Sequence, residues 1–168
     1  AVAIVSCLQY PLAYLLGREA IDRPTGLAFA IVLASPGIGS LASVWIAHPS
    51  VTVTLTLATL LCLWRAHARA SPAWLAAAGA AFGLALHAHP TTLPLAIPAA
   101  FVAVEVVRRR GASGVAGAAA AVALAAAPFL PLLAGYREHV DDALALSARI
   151  SDDARTLDVP SMVTVAWN

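Results

Sequence analysis

The chain has 168 residues, 61% of them hydrophobic and 11% charged, with a formal net charge of +1. An average soluble domain carries about 25% charged residues. Here the apolar runs are apolar on every side and the charges sit between them, which excludes a water-soluble core built from helices with one polar face. The near-neutral balance, with no basic face to neutralise phosphates, excludes a nucleic-acid partner.

The pattern predicts an all-α, polytopic transmembrane helix bundle of six passes. The first covers Ala1 to Gly17, with a kink expected at Pro11. The stretch REAIDRPTG, Arg18 to Gly26, reads as a polar turn. Leu27 to Ile46 is a 20-residue run, long enough for a hydrocarbon core of about 30 Å. It contains SPGIGS, Ser35 to Ser40, which should bend or locally unwind it. Val51 to Trp64, Trp74 to Ala88 and Thr91 to Val107 are shorter, and reach both interfaces only with thinning of the bilayer or snorkelling of flanking arginines. Gly114 to Ala134 completes the set.

The resulting organisation is a transmembrane helical region over residues 1–135 and an extracytoplasmic loop over 136–168. The loop carries three arginines against six acidic residues, and Asp141 to Arg155 has the spacing of an amphipathic helix, which reads either as a solvated loop helix or as one lying at the interface. The chain begins at Ala1 inside an apolar stretch and ends within VTVAWN. That is the pattern of an internal piece of a longer polypeptide, and the first stretch lacks the basic segment of a signal peptide.

Every basic residue is arginine, and only the placement of the arginines is informative. Arg18 and Arg23, then Arg65 and Arg69, then Arg108, Arg109 and Arg110 fall between alternate passes, seven in all, while the turns around His48 and His89 hold none. Arginine-rich short loops stay in the cytoplasm, so both histidine turns are expected on the outer face. The localisation read from this is a multi-pass cell membrane protein of bacterial plasma-membrane type.

Few residues could carry chemistry. The sequence has no Walker A, GxGxxG, HExxH or GxSxG pattern, and no cofactor or metal is predicted. Cys7 and Cys62 read as small buried hydrophobes. Glu105 is expected to pair along its helix with Arg108 or Arg109. Thr52, Thr54, Thr56 and Thr59 are expected to bond back to preceding carbonyls and to serve helix packing.

The histidines stand out. AHPS (Ala47 to Ser50) and AHPT (Ala88 to Thr91) share one form. In one reading this is helix-start punctuation: histidine near the cap, proline in the first turn. In the other, His89, His48 and His87 bind substrate at the outer face. Imidazole N–H groups donate to phosphate oxygens and gain charge beside an anion, helped by nearby helix N-termini. A three-histidine metal site has no carboxylate at useful spacing to support it.

The ordered set LLGRE (Leu15 to Glu19), LCLWRA (Leu61 to Ala66) and WLAAAGAAFGLALHAHPTTLPLAIP (Trp74 to Pro98) resembles the GT-C glycosyltransferases. The specific likeness is to the dolichyl-phosphate-mannose protein mannosyltransferase and aminoarabinose transferase-like group, over Ala13 to Arg110. That resemblance implies an enzyme that moves a sugar, with inversion, from a polyprenyl-phosphate donor to an acceptor at the extracytoplasmic face. It also implies a catalytic carboxylate in a loop before the second pass, outside this sequence. Relatives have a lysine where His89 stands, and often an acid in the turn of His48, Pro49 and Ser50. The implied partners are the lipid-linked sugar and the bilayer, with the acceptor unspecified. A transporter or flippase, with histidines in its pathway and Pro36, Gly37 and Gly39 in a broken helix, is the competing class.

Overall fold

The computed structural model describes residues 5, 7–35, 49–132 and 135. Among these, all regular structure is helical: α1 (Gln9–Ala20), α2 (Arg23–Ala34), α3 (Pro49–Arg69), α4 (Pro72–Ala88), α5 (Ala96–Arg110) and α6 (Ala112–Ala126). Two 3-10 segments, Pro90–Leu95 and Ala127–Phe129, complete the order. The all-α reading holds. The contacts divide the chain into two units, Ala1–Pro128 and Phe129–Asn168. In the second the described residues are helical; the amphipathic or solvated loop helix expected at Asp141 to Arg155 lies outside the described residues.

The helices run further than hydropathy suggested, because the arginines belong to their last turns instead of to loops. The stretch read as a polar turn, Arg18 to Gly26, is mostly helix: α1 continues to Ala20 and α2 starts at Arg23. Asp22 stops the gap from widening, since its carboxylate accepts the Thr25 backbone N–H at 2.8 Å and caps α2, with Pro24 in the first turn. Pro11 falls in the first turn of α1, where its missing N–H leaves no carbonyl unpaired within the helix.

The short third run becomes a 21-residue helix, Pro49–Arg69. At about 1.5 Å per residue this matches a hydrocarbon core of roughly 30 Å without thinning. Among the described residues three helical runs are long and apolar enough to cross a membrane: Val51–Arg69, Pro90–Arg110 and Ala112–Leu132. The break expected at Ser35 to Ser40 lies, beyond Ser35, outside the described residues.

The connections are minimal. Helix α3 ends in a turn in which Ser71 N–H reaches Ala66 O at 3.0 Å and Ala70 N–H reaches His67 O at 3.3 Å. This pairing is the Schellman motif, whose key residue is left-handed; here it is Ala70, at φ 46°. A single residue, Gly111 at φ 57° and ψ −128°, separates α5 from α6.

Three prolines spaced by four, Pro90, Pro94 and Pro98, explain the 3-10 segment after α4. Each removes the N–H that an α-helix would direct at the residue four earlier. The helix expected to start at the second histidine turn therefore starts as a six-residue 3-10 segment, and α5 begins only at Ala96.

Helix α4 is the central element, packed on α3, α5 and α6. The buried core joins Leu63 and Ala66 of α3, Leu75 and Ala78 of α4, and Val102 and Val106 of α5. Between α4 and α6 the backbones nearly touch. A Cβ on Gly79 would lie 2.2 Å from Ala121 O, and one on Gly83 would lie 2.4 Å from Ala125 O. Gly79 and Gly83 form a GxxxG pair, the small-residue spacing that lets membrane helices approach closely. Outward, Ile97, Phe101 and Val122 are more than three-fifths exposed, which suits contact with lipid chains.

Several polar residues inside the bundle find carbonyl or charged partners, whereas His67 Nδ1 is buried without a hydrogen-bond partner. Thr59 Oγ1 donates to Leu55 O at 2.8 Å and is fully buried, and Thr54 Oγ1 donates to Val5 O at 3.1 Å. Glu105 pairs with Arg109 four residues on, Nε to Oε1 at 2.8 Å. Cys62 is half-buried against the core, but Cys7 is exposed, contrary to the expectation of burial. An apolar thiol in a membrane helix has no aqueous phase to avoid, so composition did not require it to be inside.

Candidate functional site

Contacts bring the arginines of the first, third and fifth helices to one end of the bundle. Arg65 at the end of α3 binds Glu19 at the end of α1, its Nε donating to Oε2 at 2.9 Å and its Nη2 to Oε1. From α5, Arg110 Nε donates to Ala70 O at 2.9 Å and its Nη2 to Arg69 O at 3.3 Å, while Arg109 Nη1 reaches His67 O at 3.5 Å. These carbonyls close α3; His67 O also accepts from the Ala70 N–H, while those of Arg69 and Ala70 lie past the last helical donors. Arg18, Arg65, Arg69, Arg109 and Arg110 thus share one end of the helical bundle, as their spacing suggested, and some have structural duties that spacing did not reveal.

Around Arg65 a compact cluster forms. Trp64 Nε1 donates to Glu19 O at 3.1 Å, and the Arg65 guanidinium sits 4.6 Å from the Trp74 ring centroid, within cation–π range. Hydrogen bonding to Arg65, reinforced by the charges of Arg65, Arg69 and Arg18 against a partial desolvation that opposes them, holds the Glu19 carboxyl below the usual range. Glu19, Trp64, Arg65, Ala68, Arg18 and Arg69 line a cleft of about 420 Å³. The stretches LLGRE, LCLWRA and the segment beginning at Trp74 are separate in the sequence. In the fold these three stretches meet through Glu19, Arg65 and Trp74.

The opposite end of α4 carries two of the predicted histidines, His87 and His89. The helix has 17 residues, so its termini lie about 25 Å apart at 1.5 Å per residue. His89 closes it, donating its backbone N–H to Ala85 O at 2.9 Å, and also opens the 3-10 segment that follows. Its ring Nδ1 accepts the Thr91 backbone N–H at 3.2 Å and lies 2.8 Å from the Thr91 hydroxyl. Below, Thr92 is buried and donates from Oγ1 to His89 O at 2.9 Å.

Histidine is thus the N-cap, as the punctuation reading required. The same geometry has a chemical consequence: with Nδ1 accepting, the proton belongs on Nε2, which becomes the ring's outward donor. His89 and His87 are both exposed, His87 in the last turn of α4. His48 lies outside the described residues, so whether it joins them is not placed.

The comparisons with known proteins bear on the whole arrangement. No curated protein and no solved structure gives a match to the chain. The family model described as dolichyl-phosphate-mannose-protein mannosyltransferase matches residues 1–134, a segment that takes in α1 to α6, the arginine end and the His89 turn. The chain therefore belongs to the dolichyl-phosphate-mannose-protein mannosyltransferase family of GT-C membrane glycosyltransferases.

Proposed function

We infer that the chain is part of an inverting glycosyltransferase that takes its sugar from a polyprenyl-phosphate donor and delivers it to an acceptor at the extracytoplasmic face of a bacterial plasma membrane. The observation that carries this reading is the family match over residues 1–134. It is supported by a bundle whose arginines gather at one end while His89 stands at the other. On this reading the bias of basic residues makes the arginine end cytoplasmic, and His89 then faces the outer side.

In this mechanism an Asp or Glu elsewhere in the polypeptide removes the proton from the acceptor hydroxyl or amine. The acceptor attacks the anomeric carbon, the bond to the lipid phosphate breaks, and negative charge develops on the departing phosphate. His89 stabilises that charge by donating from Nε2, its ring held by the Thr91 N–H on Nδ1. His87, in the last turn of α4, contributes a further donor at the same face.

Substitutions at His89 separate its two roles. Asn retains an N-cap acceptor for Thr91 N–H but does not reach as far as the imidazole. In the full-length protein His89→Asn should keep the thermal stability of the wild type and lose transfer by on the order of tenfold to a hundredfold. Wild-type transfer rates in His89→Asn would reduce His89 to a cap.

A further inference from the structure

The cleft at the arginine end has features that helix closure alone does not require. Three of its lining residues are cationic, Arg18, Arg65 and Arg69, and one is acidic, Glu19. Arg65 is committed to Glu19 and to the Trp74 face. Arg18 and Arg69 are exposed and, among the described residues, neither forms an ion pair. Two guanidinium groups thus border one concave space without a counter-charge beyond the paired Glu19. Trp64 and Ala68 supply an apolar wall beside them.

The cleft's position adds to this. Arg69 is the last residue of the Val51–Arg69 membrane-length run, so the cleft lies at headgroup depth. There tryptophan is favoured and basic pockets between helices recognise anionic headgroups. Guanidinium groups recognise phosphate through paired N–H donors.

We propose that this cleft binds a phosphate group, carried on an anionic phospholipid headgroup or free in solution, between Arg18 and Arg69. The Glu19–Arg65 pair forms its floor, and Trp64 packs against the glycerol portion when the phosphate belongs to a lipid. The site lies at the end of α4 remote from His89, so it would act on how the bundle is seated in the membrane and not on the sugar. It depends on membrane embedding alone and stands or falls separately from the transferase reading.

The test uses the purified full-length chain in micelles containing equal amounts of phosphatidylcholine and phosphatidylglycerol, with bound lipid read by native mass spectrometry. Wild type should retain phosphatidylglycerol selectively, Arg18→Lys/Arg69→Lys should retain it less well because the paired N–H donors are gone, and Arg18→Gln/Arg69→Gln should lose it by on the order of tenfold. Arg23→Gln/Arg108→Gln removes the same charge from the same end without touching the cleft lining, and should retain the lipid. A parallel melt with inorganic phosphate distinguishes the source. Selective lipid retention assigns the headgroup. Without it, stabilisation by phosphate in wild type but not in Arg18→Gln/Arg69→Gln assigns free phosphate. Equal loss in both Gln pairs, or neither selective lipid retention nor phosphate stabilisation in the wild type, would overturn the proposal.

Discussion

Glu19 and Arg65, 46 residues apart, are joined by a two-point ion pair that fastens the end of α1 to the end of α3. The same Arg65 lies over Trp74 at the start of α4, so one side chain links three helices at their arginine-rich end. Both members of the pair are only partly covered, at 25% and 19% side-chain exposure for Glu19 and Arg65, so solvent screens part of the attraction.

This predicts a specific acid sensitivity. The folded-state carboxyl of Glu19 is depressed chiefly by the hydrogen bond from Arg65. Its stabilising contribution is therefore complete above the ordinary carboxylate range and is lost as pH falls through the lower folded value. Glu19→Gln should be less stable than wild type near neutral pH by up to about 1 kcal/mol, with the two melting curves converging in acid. A Gln variant whose deficit stays constant with pH would remove the ion pair from the account.

The turn between α3 and α4 carries a residue that its backbone does not favour. Ala70 has φ 46°, a left-handed conformation that costs an L-residue about 1–2 kcal/mol and glycine far less. Ala70→Gly should raise the melting temperature, by a margin smaller than that cost because glycine also gains freedom when unfolded. Gly111, at φ 57° and ψ −128° with nothing near its missing Cβ, should behave in the opposite sense. Gly111→Ala should destabilise by about 1–3 kcal/mol through backbone strain alone. Calorimetry on the two variants reads both signs.

Packing of α4 on α6 depends on the absence of side chains. A Cβ at Gly83 meets the carbonyl oxygen of Ala125 at 2.4 Å, and a backbone oxygen cannot rotate away. Gly83→Leu should cost about 3 kcal/mol or prevent the helices from docking. Leu84→Val on the adjacent exposed position should be nearly neutral. Thermal unfolding in detergent, followed by circular dichroism, compares them.

Much of this architecture was legible in the sequence. The apolar runs identify the helices because, in a membrane protein, continuous hydrophobicity and segregated charge are the dominant signal. The common end shared by the arginines was visible in their alternation, and the histidine cap in the grammar of His-Pro-Thr. Helix ends were not legible. Arg18, Arg69 and Arg110 look like loop residues by hydropathy, yet they close helices, where cations offset the carbonyl end. The Glu19–Arg65–Trp74 cluster was also hidden, since no local spacing connects residues this far apart. Gly79 and Gly83 did leave a signal, their GxxxG spacing, which a search for soluble-enzyme motifs does not weigh. The same search could not foresee that three evenly spaced prolines would replace the helix start after His89 by a 3-10 segment.

The central claim concerns where the sugar comes from, and the most direct measurement is donor choice by the full-length protein in proteoliposomes. Polyprenyl-phosphate bearing a labelled sugar and the corresponding nucleotide sugar are supplied in turn, and label arriving on acceptor is counted with its anomeric configuration. The account predicts transfer from the lipid-linked donor only, with inversion. Transfer from the nucleotide sugar without the lipid, or movement of the intact lipid-linked sugar across the bilayer with no glycosidic bond made, would contradict it.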